Sequence, residues 1–339
     1  MKSRQIFKPR LLKCALWCGV VLLLLGSLAG YFYSEYTPSQ TLVWGVTFSP
    51  PAAEYLGLDW KQAYLAMLQD LSVKYVRIPV YWDRLEPKQG AFSYEEVDWM
   101  LQQAAQYHAQ VILGLGRKQP RWPECHNPAW FNSLSSAEQQ KATLDMLTHA
   151  VLHFKASAAV EVWQVENEPD FKFGPDCEKT PIDFLTTEVT LVRLLDSHPT
   201  LVTDSGEIGH WLPVAGSGAD YFGSTMYRVV HNKFFGYITY PLPPLFFKIK
   251  AGILNSFAAP KKIWGVELQA EPWFVTDALH TPIPEQLALM NPELLAQNIA
   301  YARAVGFERN YLWGVEWWYW LKTKHDNPVM WDAAEKLYK

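Results

Sequence analysis

The sequence predicts an α/β fold, a single (β/α)8 TIM barrel over residues 41–339 that follows an N-terminal transmembrane helix. Eight short strand-like runs alternate with longer helical patterns over about 300 residues, which is the order of elements in such a barrel. Several of these runs are apolar nearly throughout, as parallel strands buried on both faces are. An open doubly wound sheet is the alternative, but no glycine-rich dinucleotide loop follows the first strand.

The eight predicted strands cover residues 41–48, 74–82, 109–116, 160–166, 200–204, 220–227, 262–268 and 310–317. Apolar residues at helical spacing predict helices over 60–72, 94–107, 137–154, 181–195, 292–305 and 329–338. The segments after the second and third strands are long and rich in Trp, Pro and charge. A barrel with elaborated loops after its strands carries its functional site on that face.

The predicted transmembrane helix is the uncharged run "CALWCGVVLLLLGSLAGYFY" over residues 14–33. Twenty residues are enough to cross a hydrocarbon core of about 30 Å as a helix. A basic tail over residues 1–13 favours a cytoplasmic start, and the aromatic end suits the far interface. A cleaved signal peptide is the alternative, because "SLAG" offers small residues. Either way, a linker over 34–40 leads to an extracytoplasmic body.

The charge and the aromatic content narrow the possible partners. The net charge is −4 although the basic tail is positive, so the body is mildly acidic and a nucleic-acid partner is not expected. Sixteen tryptophans predict either a large aromatic core with some membrane contact or a groove of flat rings that stack on sugars. Trp122, in the loop after the third strand, is a candidate substrate-binding residue of such a groove.

The four cysteines fall into two pairs. Cys14 and Cys18 lie in the predicted anchor. Cys125 and Cys177 each follow a strand-like run, and in an oxidising compartment they could form a disulfide or remain free. The sequence contains no Cys/His cluster of the zinc type, so no metal or cofactor is predicted.

An apolar insertion, "FFGYITYPLPPLFFKIKAGILNSF" over residues 234–257, lies between the sixth and seventh predicted strands. Its prolines and lysines argue against a second transmembrane span. It is expected to form a cap on the barrel, and contact with the membrane surface beside the anchor is the alternative.

Acidic residues recur where the predicted strands end: Trp163-Gln-Val-Glu166, Trp264-Gly-Val-Glu267 and Trp313-Gly-Val-Glu316. A Glu in an apolar strand is solvated, paired or functional. If the fourth strand stays regular, Gln164, Glu166 and Glu168 share a face, with Glu168 nearest the mouth and Glu166 one layer deeper.

Asn167-Glu168-Pro169 at the end of a fourth strand resembles the signature of clan A glycoside hydrolases, with the cellulase family 5 as the nearest general match. The resemblance covers residues 41–339 and implies a retaining β-glycosidase. It implies that Glu168 is the general acid/base and Glu267 the nucleophile. It also implies that Asn167 contacts a sugar hydroxyl and that Arg77, on the second strand, holds the nucleophile ionised. Tyr227, at the end of the sixth strand, corresponds to a further conserved position of the family's substrate-binding site. The family's sugar platform, a Trp at the end of the eighth strand, corresponds to Trp317 or Trp318.

The cleavage reaction itself requires a pair of carboxyl groups of this kind. Cleaving a glycosidic bond with retention needs one carboxyl group that gives a proton and another that attacks, held at different pKa values. Val266 and Leu268 beside Glu267 depart from the family pattern, so Glu271 stays an alternative nucleophile and is otherwise a substrate-binding candidate. Two further substrate-binding candidates are Asp204 and Glu207, at the end of the fifth strand. Glu316 is either a site residue or a buried acid that is paired inside the barrel.

The function expected from these features is that of a membrane-anchored retaining glycosidase acting on an extracytoplasmic oligo- or polysaccharide. A transglycosylase that uses the same covalent intermediate is one alternative. A catalytically weak glycan-binding barrel in envelope or polysaccharide assembly is another.

Overall fold

The computed structural model describes residues 7–175 and 177–339, with side chains from residue 13 onward. The predicted basic tail lies partly outside the described residues, because residues 1–6 are among those left out. The strands are β1 Val43–Thr47, β2 Tyr75–Pro79, β3 Gln110–Leu115, β4 Val160–Val165, β5 Thr200–Asp204, β6 Tyr221–Met226, β7 Val229–Asn232, β8 Gly236–Thr239, β9 Lys262–Gln269 and β10 Arg309–Trp313.

The helices surround these strands in the order that a barrel requires. They are α1 Phe7–Ser34, α2 Pro50–Tyr55, α3 Trp60–Gln69, α4 Trp82–Leu85, α5 Glu95–Gln106, α6 Ser136–Phe154, α7 Ile182–Leu195, α8 Leu212–Ala215, α9 Pro244–Phe257, α10 Ile283–Leu289, α11 Pro292–Val305, α12 Val315–Lys324 and α13 Val329–Tyr338. All six helices predicted from helical spacing are present.

Eight parallel strands close into a barrel in the order β1-β10-β9-β6-β5-β4-β3-β2, which confirms the predicted fold. Closure comes from the pairing of β1 with both β10 and β2. The lower interior is a separate apolar cluster, to which Ile112, Val162, Leu201, Trp264, Val266 and Tyr311 contribute. The larger core lies between strands and helices, so the fold is the two-layer packing expected of a barrel.

The eighth barrel strand is shorter than predicted. β10 ends at Trp313, Gly314 has φ +127°, and α12 begins at Val315. A positive φ of this size is readily available only to glycine, so the chain leaves the strand there. Glu316, Trp317 and Trp318 therefore lie on a helix and not at a strand end.

The apolar insertion is not one separate unit. Its first part belongs to an antiparallel hairpin of β7 and β8, which follows the carboxyl end of β6. Its second part is α9, which joins the helix layer and buries Phe247, Ala251 and Leu254 in the core. The expected packing on the barrel is thus seen for α9, whereas Phe234 and Phe235 at the hairpin turn are exposed.

Cys125 and Cys177 form a disulfide, with a Cα–Cα distance of 5.3 Å. The bridge ties the loop after β3 to the loop after β4, 52 residues along the chain. Both loops sit at the carboxyl ends of their strands, so the disulfide fastens the mouth of the barrel. Cys14 and Cys18 are free and exposed on α1.

Replacing both Cys125 and Cys177 by Ala should lower the free energy of unfolding by about 2–4 kcal/mol, because the unfolded chain gains conformational freedom. Denaturant unfolding of the full chain under oxidising conditions measures this loss. Replacement of Cys14 and Cys18 by Ala in the full chain is the control and should leave barrel stability unchanged. Equal stability of the Cys125/Cys177 double variant and the parent would contradict the prediction.

Candidate active site

The carboxyl ends of four barrel strands bring five of the predicted site residues together. β2 carries Arg77, the turn after β4 carries Asn167 and Glu168, Tyr227 follows β6, and β9 carries Glu267. Hydrogen bonds or direct charge interactions connect all five. The mouth of the barrel is therefore the candidate site, as the long loops after the strands indicate.

Arg77 is the centre of this group and is 1% exposed. Its Nη1 donates to Glu267 Oε1 at 2.8 Å, its Nη2 to Asn167 Oδ1 at 2.7 Å, and its Nε to Gln164 Oε1 at 2.7 Å. One planar guanidinium on β2 thereby fixes side chains from β4 and β9. A buried cation of this kind must be paired, and the Arg77–Glu267 ion pair meets that need.

Glu267 has both carboxylate oxygens occupied. Arg77 donates to Oε1, and the Tyr227 hydroxyl donates to Oε2 at 3.0 Å. Glu267 is only 5% exposed and has the surroundings of a carboxylate held in one orientation.

Glu168 stands in a different environment, beyond the end of β4. Glu166 and Glu168 have φ values of +59° and +44°, so the strand does not stay regular and the expected shared face is wrong. Glu166 turns away to accept hydrogen bonds from the backbone N–H groups of Arg117 and Lys118. The Glu168 backbone N–H donates to Thr203 Oγ1 at 3.0 Å, which fixes the turn.

The pKa of Glu168 is raised well above its usual range. Burial is the main cause, and the negative charges of Glu267 and Glu124 add to it. Burial and like charge thus act in the same direction on Glu168, whereas Glu267 forms an ion pair with Arg77. The two carboxyl groups therefore stand in different electrostatic surroundings.

Glu124 is a third acid of the site, which the sequence reasoning missed. It lies in the loop after β3, is 9% exposed and has φ +74°. Burial raises its pKa to about 8, and the charge of Glu267 adds to the rise, while Lys118, Arg77 and a hydrogen bond from Asn167 oppose it. Nothing in "RWPECHN" separates this Glu from a solvated loop acid, because its burial depends on distant strands.

Glu271 and Glu316 share one partner, Arg121. Arg121 Nη1 donates to Glu271 Oε1 at 2.5 Å, and Nη2 donates to Glu316 Oε2 at 2.8 Å. Glu316 Oε1 in turn accepts from the Ser49 backbone N–H at 2.5 Å. This network ties the loop after β3 to the ends of β1, β9 and β10. Glu271 is engaged there, whereas Arg77 and Tyr227 both contact Glu267.

The structure does not place Trp317 or Trp318 as a sugar platform. They are 1% and 0% exposed, and their indole N–H groups donate to Gln286 Oε1 and the Ala270 carbonyl. Both pack in the core because α12 turns them inward, which corrects the expectation. The Trp that ends the eighth barrel strand is Trp313, and the Arg121 guanidinium lies 4.1 Å from its ring centroid.

Trp122 is the exposed end of a line of aromatic rings. It is 66% exposed, and its ring centroid lies 5.9 Å from that of Phe173. Phe173 is 6.3 Å from Trp273, which is 5.6 Å from Tyr227. The rings lead from the rim to the hydroxyl that contacts Glu267. Sequence reasoning missed Phe173 and Trp273, which belong to separate loops.

Asp204 and Glu207 fix the backbone of the loops at the mouth of the barrel. Asp204 accepts hydrogen bonds from the backbone N–H groups of Ser205 and Trp211, at 2.8 and 2.9 Å. Glu207 accepts from the Tyr227 backbone N–H and from the Thr225 hydroxyl. Glu207 thereby fixes the backbone of the residue whose side chain reaches Glu267.

Within the described part of the chain, no group of three or more His, Cys, Asp or Glu side chains could hold a metal ion. Arg77 and the Tyr227 hydroxyl donate to Glu267, and the Asn167 amide hydrogen-bonds Glu124. In this arrangement one carboxyl group can transfer a proton while another presents a carboxylate to the substrate.

Comparison with solved structures shows that the chain has the fold of glycoside hydrolase barrels. GH5_18 from Streptomyces cattleya, solved in complex with GlcNAc, matches 82% of this chain and 71% of its own at 14% identity, with a TM-score of 0.56. An exo-beta-1,4-mannosidase from Opitutaceae bacterium strain TAV5 matches 83% and 53% at 16% identity and TM-score 0.56. An endo-beta-1,4-xylanase of family 10 from Gloeophyllum trabeum matches 81% and 86% at 15% identity and TM-score 0.55.

No family model matches the chain, and a search of curated proteins found no similar one. At identities of this size the structural likeness establishes the fold. The roles of the residues rest on the geometry of this chain.

Replacing Glu124 by Gln should stabilise the protein, and more so as the pH rises from 5 to 8. The folded-state pKa of about 8 lies above the ordinary value of 4.5, so the stability associated with this carboxyl group is present at low pH and lost through that window. The part of the free energy of unfolding that depends on this carboxyl group changes by at most about 5 kcal/mol, at 1.36 kcal/mol for each pKa unit.

Thermal unfolding of parent and Glu124→Gln at matched pH values measures this effect. Glu95→Gln is a suitable control, because Glu95 is exposed on the first turn of α5. A gain that stays constant between pH 5 and 8 would show that Glu124 titrates as an ordinary surface acid.

Proposed function

We propose that this protein is a membrane-anchored retaining glycoside hydrolase, with Glu168 as general acid/base and Glu267 as nucleophile. The observation that supports this most is the unequal treatment of two carboxyl groups in one buried site. Burial and like charge raise the pKa of Glu168, whereas Arg77 and Tyr227 both donate hydrogen bonds to Glu267. The fold shared with glycoside hydrolase barrels supports the same reaction class.

The proposed reaction has two steps with balanced proton transfers. In the first, a Glu267 carboxylate oxygen attacks the anomeric carbon while Glu168 gives its proton to the glycosidic oxygen. The bond to the leaving sugar breaks, and a glycosyl ester forms on Glu267. In the second, the Glu168 carboxylate takes a proton from water, the water oxygen bonds to the anomeric carbon, and the ester breaks.

The other site residues prepare these steps. Arg77 neutralises Glu267 before attack, and Tyr227 directs the second carboxylate oxygen. Asn167, whose Oδ1 accepts from Arg77 and Thr203, holds its amide N–H groups toward the site and is assigned to a sugar hydroxyl. The rings of Trp122, Phe173 and Trp273 offer flat faces to the apolar sides of further sugars.

The proposed substrate is an extracytoplasmic β-linked oligo- or polysaccharide. Within the described residues, Lys13–Ser34 is long and apolar enough to cross a membrane, and a signal sequence would have the same character. The Cys125–Cys177 disulfide is typical of an oxidising compartment and supports export of the barrel.

Incubation with activated 2-fluoro aryl β-glycosides should trap the glycosyl ester on Glu267. The fluorine slows both steps, but the activated leaving group keeps the first step fast enough for the ester to accumulate. Peptide mass mapping of the labelled protein locates the ester. Glu271→Gln should still be labelled, whereas Glu267→Gln should not. A label on Glu271 would transfer the nucleophile role to that residue. Failure to label with glucose, mannose and xylose derivatives would contradict a covalent mechanism.

Glu168→Gln should lose most activity on substrates with poor leaving groups and keep more on activated aryl glycosides, which depart without a proton. A loss of about 10²–10⁴-fold is expected for the demanding substrates, the usual contribution of general acid catalysis. The ratio of kcat/KM for the two substrate types in variant and parent measures the effect. Glu178→Gln, at an exposed side chain on the loop after β4, is the control. Equal losses on both types would contradict the acid role of Glu168.

A further inference from the structure

The end of α1 packs against the lower half of α9. Gly252 provides the contact: a Cβ atom there would lie 1.6 Å from the Phe32 carbonyl oxygen, so only glycine allows this approach. The Phe32 ring lies 6.0 Å from that of Phe257, and Asn255 Nδ2 donates to the Glu35 carbonyl at 3.0 Å. The helix is held at its last turn.

The segment that follows α1 is fastened as well, although it was predicted as a linker. The Tyr36 hydroxyl and the Ser39 backbone N–H both donate to the Gly306 carbonyl, each at 2.8 Å. The Tyr36 ring meets that of Phe307 edge-on at 6.0 Å, and Pro38 lies against Gly306. Residues 35–39 therefore join the barrel without a flexible spacer.

These contacts all lie at the base of the barrel, where the strands begin. Phe257 ends α9 shortly before β9 starts at Lys262, and Gly306 precedes the start of β10 at Arg309. The described side chains of α1 before its last turns are largely exposed, so the helix leaves the barrel from this end. Glu168 and Glu267 lie toward the opposite end. The eight residues of β9, tilted in the barrel, separate the ends by about 20 Å.

We propose that the barrel is held base-first against the membrane that anchors it, so that its mouth opens away from that bilayer. This inference rests on the anchoring in the proposed function. It also defines the substrate further: a glycan chain that approaches from the space beyond the membrane, and not a sugar headgroup in the same leaflet.

The hairpin of β7 and β8 fits this orientation. Its exposed Phe234 and Phe235 follow the carboxyl end of β6 and so belong to the mouth, and the Tyr237 hydroxyl donates to the Trp273 carbonyl at 3.0 Å. The expected alternative of membrane contact beside the anchor does not agree with this placement. The hydrogen bond from Tyr237 links the hairpin to Trp273 of the aromatic line instead.

Fluorescence quenching in vesicles tests the orientation without any use of activity. The full chain, with Cys14 and Cys18 replaced by Ala, receives a single labelled cysteine at the base, Glu308→Cys, or at the hairpin turn, Phe234→Cys. Each is reconstituted in phosphatidylcholine vesicles that contain a nitroxide-headgroup lipid. The label at 308 should be quenched strongly and the label at 234 little. Equal quenching, or the reverse order, would overturn the proposal.

A second pair of variants tests the contact that sets the orientation. Gly252→Leu should weaken quenching at position 308, because the larger side chain cannot fit beneath Phe32. Gly26→Leu is the matched control, since nothing lies within 4 Å of Gly26, and it should leave quenching unchanged. If Gly252→Leu does not fold, Tyr36→Phe combined with Asn255→Ala takes its place. Unchanged quenching in the folded variant would show that the contacts of residues 32–39 with the base of the barrel do not set its orientation.

Hydrolysis of a free aryl β-glycoside by the same samples keeps the two proposals apart. A base-first pattern of quenching in an inactive protein would refute the proposed reaction and leave the orientation standing. An active protein with the opposite pattern would refute the orientation alone.

Discussion

The ion pair between Arg77 and Glu267 is the constraint on which the mouth of this barrel depends. Both groups are buried, and neither could be so alone, because an unpaired charge in the interior costs several kcal/mol. The planar guanidinium also reaches Gln164 and Asn167 on the β4 side. One side chain thus connects three strands, and the group that pairs with Glu267 also positions the Asn167 amide.

The surroundings of this pair also affect the pKa values of the neighbouring acids. Burial is the main cause of the raised pKa of Glu168 and of Glu124, and the negative charge of Glu267 acts in the same direction in both. The upward shift of Glu168 therefore needs no special hydrogen-bond partner in this site. It follows from the exclusion of water and from neighbouring negative charge.

Much of this could be predicted from the sequence. The alternation of strands and helices predicted the closed barrel. The positions of Arg77, Glu168 and Glu267 in or after strands predicted that they lie at the mouth. Both predictions succeeded because they depend on local sequence patterns. The errors came where the backbone leaves its pattern. Positive φ at Glu166 and at Gly314 ends β4 and β10 early, which moves Trp317 into the core. The roles of Arg121 and Glu124 were out of reach, since their partners come from other strands.

Two glycines show why these turns are tight. At Gly116, after β3, a Cβ atom would lie 2.8 Å from the Glu166 carboxyl carbon. At Gly314, after β10, it would lie 2.6 Å from the Glu271 Cβ. Both have positive φ, so each glycine turns the chain and leaves room for an acid of the neighbouring strand's loop. Those two acids hold the loop after β3, through the backbone of Arg117 and the side chain of Arg121. The mouth is therefore closed on one side by paired charges, which leaves the aromatic side, from Trp122 inward, as the way in.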